Sequence, residues 1–420
     1  MRKCDFDTLP QRRGTASVKW DVLSDGESLP LWVADMDFRA PQEIISALHE
    51  RVDSGVFGYA LAPESWRQSL ARWLAMRHGW TIDTKWLVEA TGVLRSLGAA
   101  LGVFCANKDD GIILQTPAYC GFLEVIRDYG VKLLESPLRR VTSHGEGDFT
   151  YEMDFDDLER KASDPHAKLF LLCNPHNPAG RAWSADELSR VGEICRRHGV
   201  FVLSDEIHAD LQMPGSRHVP YAKVAQGFED TFMTFWSATK TFNLAGLHVS
   251  AAVCANPEVR ERMRRMHGIH GTGYLNTFGF LASSVAWEKC AYWLDELRTY
   301  LHGNYLAFLK FVRERLPRVR VADLDATYLA WLDVTELGIP SGELARRLEI
   351  EVKVKLSPGD MFLEPKGGSF LRVNLASPRT MLMEALERCG RILGGIGCAA
   401  SSRRGGTSSR WRATDDRERG

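Results

Sequence analysis

Lys240 stands in Ser237-Ala238-Thr239-Lys240-Thr241-Phe242-Asn243, directly after the apolar run 231–236. Free lysine titrates near ~10, so an amine that attacks a carbonyl must be desolvated or lie beside another cation to be neutral at working pH. A lysine just past a buried strand and flanked by hydroxyls meets the first condition, and Lys240 is read as a Schiff-base lysine. Gly92-Val93-Leu94 opens a helix expected over 95–105, where free backbone N–H groups and the helix dipole favour an anion such as phosphate. Tyr119 projects from the turn Gln115-Thr116-Pro117-Ala118-Tyr119, with a flat ring suited to stacking on a planar cofactor. Asn174-Pro175-His176-Asn177-Pro178-Ala179-Gly180 is a stiff turn that leaves Asn177 to donate to an oxygen.

Two charged residues interrupt apolar strands. Asp205, in Ser204-Asp205-Glu206-Ile207-His208, ends a fully apolar stretch, and a buried carboxylate there needs a cation. A protonated pyridine nitrogen would serve and would keep the ring an electron sink; a structural salt bridge is the other reading. Arg372, inside Phe370-Leu371-Arg372-Val373-Asn374, offers a planar fork for a substrate carboxylate. An anion site, a stacking ring, an oxygen donor, a buried carboxylate, a lysine and a carboxylate clamp together describe a pocket for pyridoxal phosphate and an amino acid.

Short apolar runs at 86–91, 111–115, 131–135, 168–173, 200–204, 231–236 and 248–255 alternate with helical stretches, which argues for βαβ units around a mostly parallel sheet. In such a sheet ligands sit beyond the carboxyl ends of the strands, where the residues above cluster. Helices are expected after Pro41, over 66–78, and over 184–198, where Ser184 and Glu187 form a capping box. A long helical region follows at about 257–316, broken at 268–273. After Pro317 strands and helices mix, with strands at 328–332 and 370–373. The expected organisation is α/β: an N-terminal arm (1–40) packing with the small domain, a large cofactor domain (41–290), a smaller α+β domain (291–394), and a Ser/Gly/Arg-rich tail (395–420) expected to be disordered.

With 53 basic against 54 acidic residues, the net charge of -1 gives no electrostatic case for nucleic acid or an anionic membrane, and no apolar window approaches a membrane span. Nine scattered cysteines without a Cys-x-x-Cys pair fit a reducing cytoplasm. The twelve histidines show no metal-ligand spacing, so no metal is expected.

The chain resembles the fold type I pyridoxal-phosphate enzymes, specifically the MalY/PatB-type cystathionine β-lyases (C–S lyases). The resemblance runs from about residue 6 to 394. It rests on Asn177-Pro178-Ala179-Gly180 and Ser237-Ala238-Thr239-Lys240, and on the narrower stretches Arg12-Arg13-Gly14-Thr15, Lys19-Trp20-Asp21, Trp32-Val33-Ala34-Asp35-Met36-Asp37-Phe38, Phe57-Gly58-Tyr59 and Lys240-Thr241-Phe242-Asn243-Leu244-Ala245-Gly246-Leu247. It implies that Lys240 holds the cofactor and moves the α-proton, that Asp205 pairs the pyridine nitrogen, that Asn177 bonds the ring hydroxyl and that Tyr119 stacks. It further implies that Val93, Leu94 and Ser237 hold the phosphate, with Tyr59 reaching it from the other subunit of a homodimer with shared sites. Arg372 would grip the α-carboxylate, with Asp35 on the substrate side and His208 on the cofactor side. His208 stands where aminotransferases often have tyrosine, and His248 where many relatives have a phosphate-binding arginine. The implied reaction is elimination of a thiol from L-cystathionine or a related cysteine S-conjugate, leaving pyruvate and ammonia. An aminotransferase and a pyridoxal-phosphate-binding regulatory protein are the alternatives.

Overall fold

The computed structural model describes residues 4–23 and 25–395; the tail expected to be disordered lies outside the described residues apart from Gly395. Its centre is a seven-stranded sheet. Across the sheet the strands run Leu87–Ala90, Ser250–Val253, Phe232–Trp236, Phe201–Asp205, Ala167–Cys173, Gly111–Thr116 and Lys132–Pro137. All seven arise from the apolar runs read in the sequence. Ser250–Val253 pairs antiparallel with both of its neighbours, whereas the other pairings are parallel. The six remaining strands therefore point their carboxyl ends the same way.

Both faces of this sheet are covered, which explains why its strands are apolar at successive positions rather than at alternate ones. Ile112, Leu114, Leu169, Leu171, Leu203, Met233 and Phe235 pack into one core with Leu97, Leu101, Ile126 and Met263, from helices Val93–Phe104, Cys120–Asp128 and Pro257–Ile269. Ile113, Phe170, Leu172, Val202 and Phe232 face the other core, with Leu158, Leu188, Trp66 and Trp73. Helix Ala185–His198 starts on the expected capping box between Ser184 and Glu187. Pro41 caps helix Gln42–Asp53 rather than beginning it, and the long helical region resolves into Pro257–Ile269, Thr277–Lys289 and Ala291–Arg315.

A second, four-stranded antiparallel sheet is ordered Arg320–Val321, Leu329–Asp333, Phe370–Asn374 and Ser357–Pro358. The N-terminal residues join this part of the molecule: Leu29–Pro30 pairs in parallel with Val354–Lys355. Asp37 anchors the arm, accepting from Lys19 Nζ (2.8 Å), Trp20 Nε1 (2.8 Å), Arg12 Nη1 (3.0 Å) and Ser377 Oγ (2.7 Å). Charge-assisted bonds of this kind are what allow Lys19 to be fully buried. The hairpin Arg139–Thr142 with Phe149–Glu152 was not anticipated from the sequence.

Candidate active site

A cavity of about 500 Å³ opens at the carboxyl ends of the parallel strands. Strand Leu87–Ala90 leads to Gly92, whose φ of 156° carries the chain into helix Val93–Phe104. The first N–H groups of a helix have no intrahelical acceptor, so Val93 and Leu94 present two donors and the positive end of the dipole to the cavity they line. Strand Gly111–Thr116 leads to Tyr119, which is partly buried; its ring meets Phe122 edge-on at 5.3 Å, and burial pushes its hydroxyl up to about 12. A Cβ on Gly121 would lie 2.6 Å from that ring, so glycine is required there for the tyrosine to keep its place.

Strand Ala167–Cys173 leads into the Asn-Pro turn, in which the peptide bonds before Pro175 and Pro178 are cis, as is that before Pro117. Buried His176 donates from Nε2 to the Pro117 carbonyl (2.8 Å) and so ties the Asn177 turn to the Tyr119 turn. The Asn177 oxygen accepts from Arg372 Nη1 (3.1 Å), which leaves its NH2 as the free donor beside the cavity.

Asp205, only 5% exposed, ends its strand, and among the described residues its carboxylate accepts one bond, from the Ile207 N–H (3.1 Å). Burial, reinforced by the neighbouring Glu206, raises its carboxyl from 3.8 to about 7. Among the described residues it forms no salt bridge, although the Lys240 charge pulls its carboxyl the other way. Lys240 sits on the four-residue helix Ala238–Thr241, and burial, with Arg372 as a further cation, brings its amine down to about 8 despite the opposing pull of Asp35 and Asp205. Its Nζ donates to the Ala34 carbonyl (2.6 Å). His208 lines the same cavity with Nδ1 unpartnered, and burial holds it neutral, down to about 3.

Arg372 lies behind Asn177 rather than on the cavity wall, and it is 5% exposed. It stacks on Phe362 at 4.6 Å and, among the described residues, donates to the neutral oxygens of Asn177, Trp32 (2.9 Å) and Ser357 (3.4 Å) while Nε has no partner. A buried guanidinium without a carboxylate among the described residues is suited to receive one from a ligand.

Three residues singled out in the sequence are placed as follows. Ser237 lines the cavity while donating to the Val249 carbonyl (2.6 Å) and capping the lysine helix at Thr239 N (3.1 Å), and Thr239 and Thr91, not foreseen in the sequence, also bring hydroxyls to this end of the cavity. The Asp35 carboxylate is held by Arg12 (3.0 Å) and is not on the cavity wall; the backbone of Ala34 is. Tyr59 is 95% exposed, away from this chain's own cavity, against Tyr274 at 5.3 Å. Tyr328, overlooked in the sequence, donates its hydroxyl to the Ala34 carbonyl (3.0 Å) alongside Lys240. Its only signal is the left-handed Thr327 before it, φ 76°, which a sequence does not announce.

A mostly parallel sheet with a helix start, a tyrosine ring, a buried carboxylate and a desolvated lysine at its strand ends defines a pyridoxal-phosphate enzyme of fold type I, and the Asp205 carboxylate, free of salt bridges among the described residues, and the unpartnered His208 Nδ1 fit that cofactor. The chain belongs to the aminotransferase class I and II family, which matches residues 29–389. It is 39% identical to cystathionine β-lyase PatB of Bacillus subtilis over 388 residues, covering 91% of this chain and 98% of that one. Protein MalY of Escherichia coli is 31% identical, covering 90% and 96%. Among solved structures, the pyridoxal-phosphate-bound C–S lyase of Staphylococcus hominis superposes with a TM-score of 0.86 at 30% identity, over 93% of this chain and 98% of that one.

Proposed function

We propose that this enzyme is a pyridoxal-phosphate-dependent carbon–sulfur lyase acting on L-cystathionine or a related cysteine S-conjugate. The observation that carries the reading is the 39% identity to cystathionine β-lyase PatB over 91% of this chain, and the partly buried Lys240 and buried Asp205, groups of opposite type at neighbouring strand ends facing one cavity, supply the cofactor chemistry it needs. When bound, pyridoxal phosphate supplies an electron sink for charge developing at the substrate α-carbon. The chain's own groups do the rest. Val93 and Leu94 N–H hold the phosphate, Tyr119 covers the ring, and the Asn177 NH2 donates to the ring oxygen. Asp205 keeps the ring nitrogen protonated. Arg372 binds the substrate α-carboxylate in place of its neutral acceptors, which fixes the Cα–H bond toward Lys240. An amine near about 8 is a competent base at working pH, and Lys240 takes the α-proton. The electron pair left at the α-carbon forms the Cα=Cβ bond as the Cβ–S bond breaks, and the Cβ–S pair departs with sulfur as thiolate, which is protonated to the thiol. Water converts the three-carbon enamine that remains into pyruvate and ammonia.

Two chains complete each site in this reading, with Tyr59 of one copy reaching the phosphate end of the other. Its support is the exposed aromatic surface of Phe57, Tyr59 and Tyr274, which surrounds a hollow of about 330 Å³. A division into a large domain and a smaller one beginning near residue 291 follows the two sheets. The described cysteines are all unpaired, which supports a cytoplasmic enzyme, and no described helix is long and apolar enough to cross a membrane.

The test supplies L-cystathionine without any 2-oxo acid and follows pyruvate through lactate dehydrogenase together with free thiol. Equimolar pyruvate and thiol over many turnovers is expected. Product that stops at one equivalent per site and resumes on adding a 2-oxo acid would replace the lyase with an aminotransferase.

A further inference from the structure

Lys240 sits on a helix of four residues, too short to hold its own orientation by backbone bonds. The three residues that follow the lysine do that work, each fastened to a different part of the molecule. Thr241, fully buried, donates its hydroxyl to Asp210 Oδ2 (2.9 Å). Phe242 packs against Trp73 at 5.8 Å and Trp293 at 5.9 Å. Asn243, in the left-handed region at φ 58°, donates to the carbonyls of Met36 and Phe38 (both 3.0 Å).

Asp210 is the charged member of this set and is buried under helix Glu64–His78. It accepts from Trp73 Nε1 (3.1 Å) and from His78 Nε2 (2.8 Å) as well as from Thr241. The other charged or titratable groups that bear on it include Arg77, Arg298 and His218. Three donors converge on one carboxylate, and only Thr241 is on the lysine helix; the other two belong to the scaffold. The same segment that ends in Asp205 continues five residues to Asp210, so one stretch of chain sets both the buried carboxylate facing the cavity and the anchor of the lysine.

We propose that Asp210 is a positioning residue for Lys240, acting through the Thr241 hydroxyl to fix the direction from which the amine meets the cofactor carbonyl and the substrate α-proton. This rests on the reading of Lys240 as the covalent anchor and base. Asp210 touches neither cofactor nor substrate. Its effect is on the geometry of a proton transfer, where a displacement of about 1 Å lowers the rate by as much as ~10²-fold.

Thr241→Val is the sharpest probe, because it keeps the side-chain shape and leaves Asp210 with the Trp73 and His78 donors, so the fold survives. Thr241→Ser restores the hydroxyl. Asp210→Asn sets an amide N–H against the same donors; if that protein fails to fold, Thr241→Val decides. Each protein, stripped of cofactor, is given pyridoxal phosphate and borohydride, and the rate of covalent trapping at Lys240 is followed by mass; kcat, KM and thermal midpoint are measured on the loaded enzyme. Thr241→Val is expected to trap more slowly and to lose between about tenfold and a hundredfold in kcat, with KM within about twofold, and Thr241→Ser to recover most of both. A Thr241→Val protein that melts earlier yet traps and turns over like the parent, or a Thr241→Ser protein no better than Thr241→Val, overturns the proposal. Absence of trapping in the parent protein would instead sink the reading of Lys240 itself, so the two failures are distinguishable.

Discussion

Asp205→Asn should stabilise the cofactor-free protein while removing most of its turnover. In the folded chain burial lifts the Asp205 carboxyl from 3.8 to about 7, because one backbone N–H is too little solvation for a charge in that position. A folded-state value above the unfolded one means that the unfolded chain gives up its proton first as pH rises. The stability tied to this group is intact below pH ~4, falls through the interval and is fully lost above pH ~7. That interval corresponds to about 4 kcal/mol, of which roughly 3 kcal/mol lies between pH 5 and pH 8. Asparagine carries no titrating group and should lack that slope. Glu206 and Lys240 titrate in both proteins, so the difference between the two curves reports Asp205 together with its coupling to those two groups. The assay is urea unfolding of the two cofactor-free proteins from pH 5 to pH 8, followed by fluorescence of the buried tryptophans. The variant should gain on the parent steadily with pH, and the advantage should vanish when cofactor is added, since a ring cation gives the parent's carboxylate its missing partner. A flat difference curve, or a variant less stable than the parent at pH 8, would refute the assignment of Asp205 as an uncompensated carboxylate.

Three further outcomes are expected. Gly121→Ala puts a methyl 2.6 Å from the Tyr119 ring and should weaken cofactor affinity by about tenfold, measured by absorbance titration, with little change in fold by circular dichroism. Arg372→Lys replaces a stacked fork by a point charge and should raise KM for the amino acid by between about tenfold and a hundredfold while leaving the visible band of the loaded protein unchanged; an unaltered KM would place carboxylate binding elsewhere. Mixing inactive Lys240→Ala and Tyr59→Ala proteins under subunit exchange should restore up to about a quarter of parental activity, because each mixed dimer has one undamaged site. No recovery would mean that Tyr59 serves no neighbouring copy.

The strands of the central sheet were legible because each is an apolar run bracketed by turn residues, a pattern that both-face burial imposes. The reversal of Ser250–Val253 was not, since direction is set by tertiary pairing rather than by composition. The hairpin at 139–142 and 149–152 escaped notice because Arg139, Arg140 and Thr142 are exposed and break any apolar run. In the site, Lys240, Asp205, Asn177 and Tyr119 could be read because charged or stiff residues in apolar surroundings are anomalous. The carbonyls of Trp32 and Ala34 could not, because every residue has one. Ser237 and Asp35 were assigned roles through the family resemblance, and their partners, Val249 and Arg12, come from segments whose meeting the local sequence does not encode.

Residues 32–37 carry a timing consequence. Their backbone is held by Asn243 at Met36, by Asn374 at Val33 and Asp35, and by Arg372 at Trp32, while Asp37 waits for Ser377, a partner 340 positions away. Before those later segments are synthesised, the partners of this stretch named above are the local ones, Arg12, Lys19 and Trp20 at Asp37. Closing such distant contacts is slow compared with forming a local helix. The pocket is therefore among the last things the molecule finishes, and a nascent chain halted before Phe370–Asn374 emerges would hold its lysine and Asp205 without the wall that brings Ala34 to them.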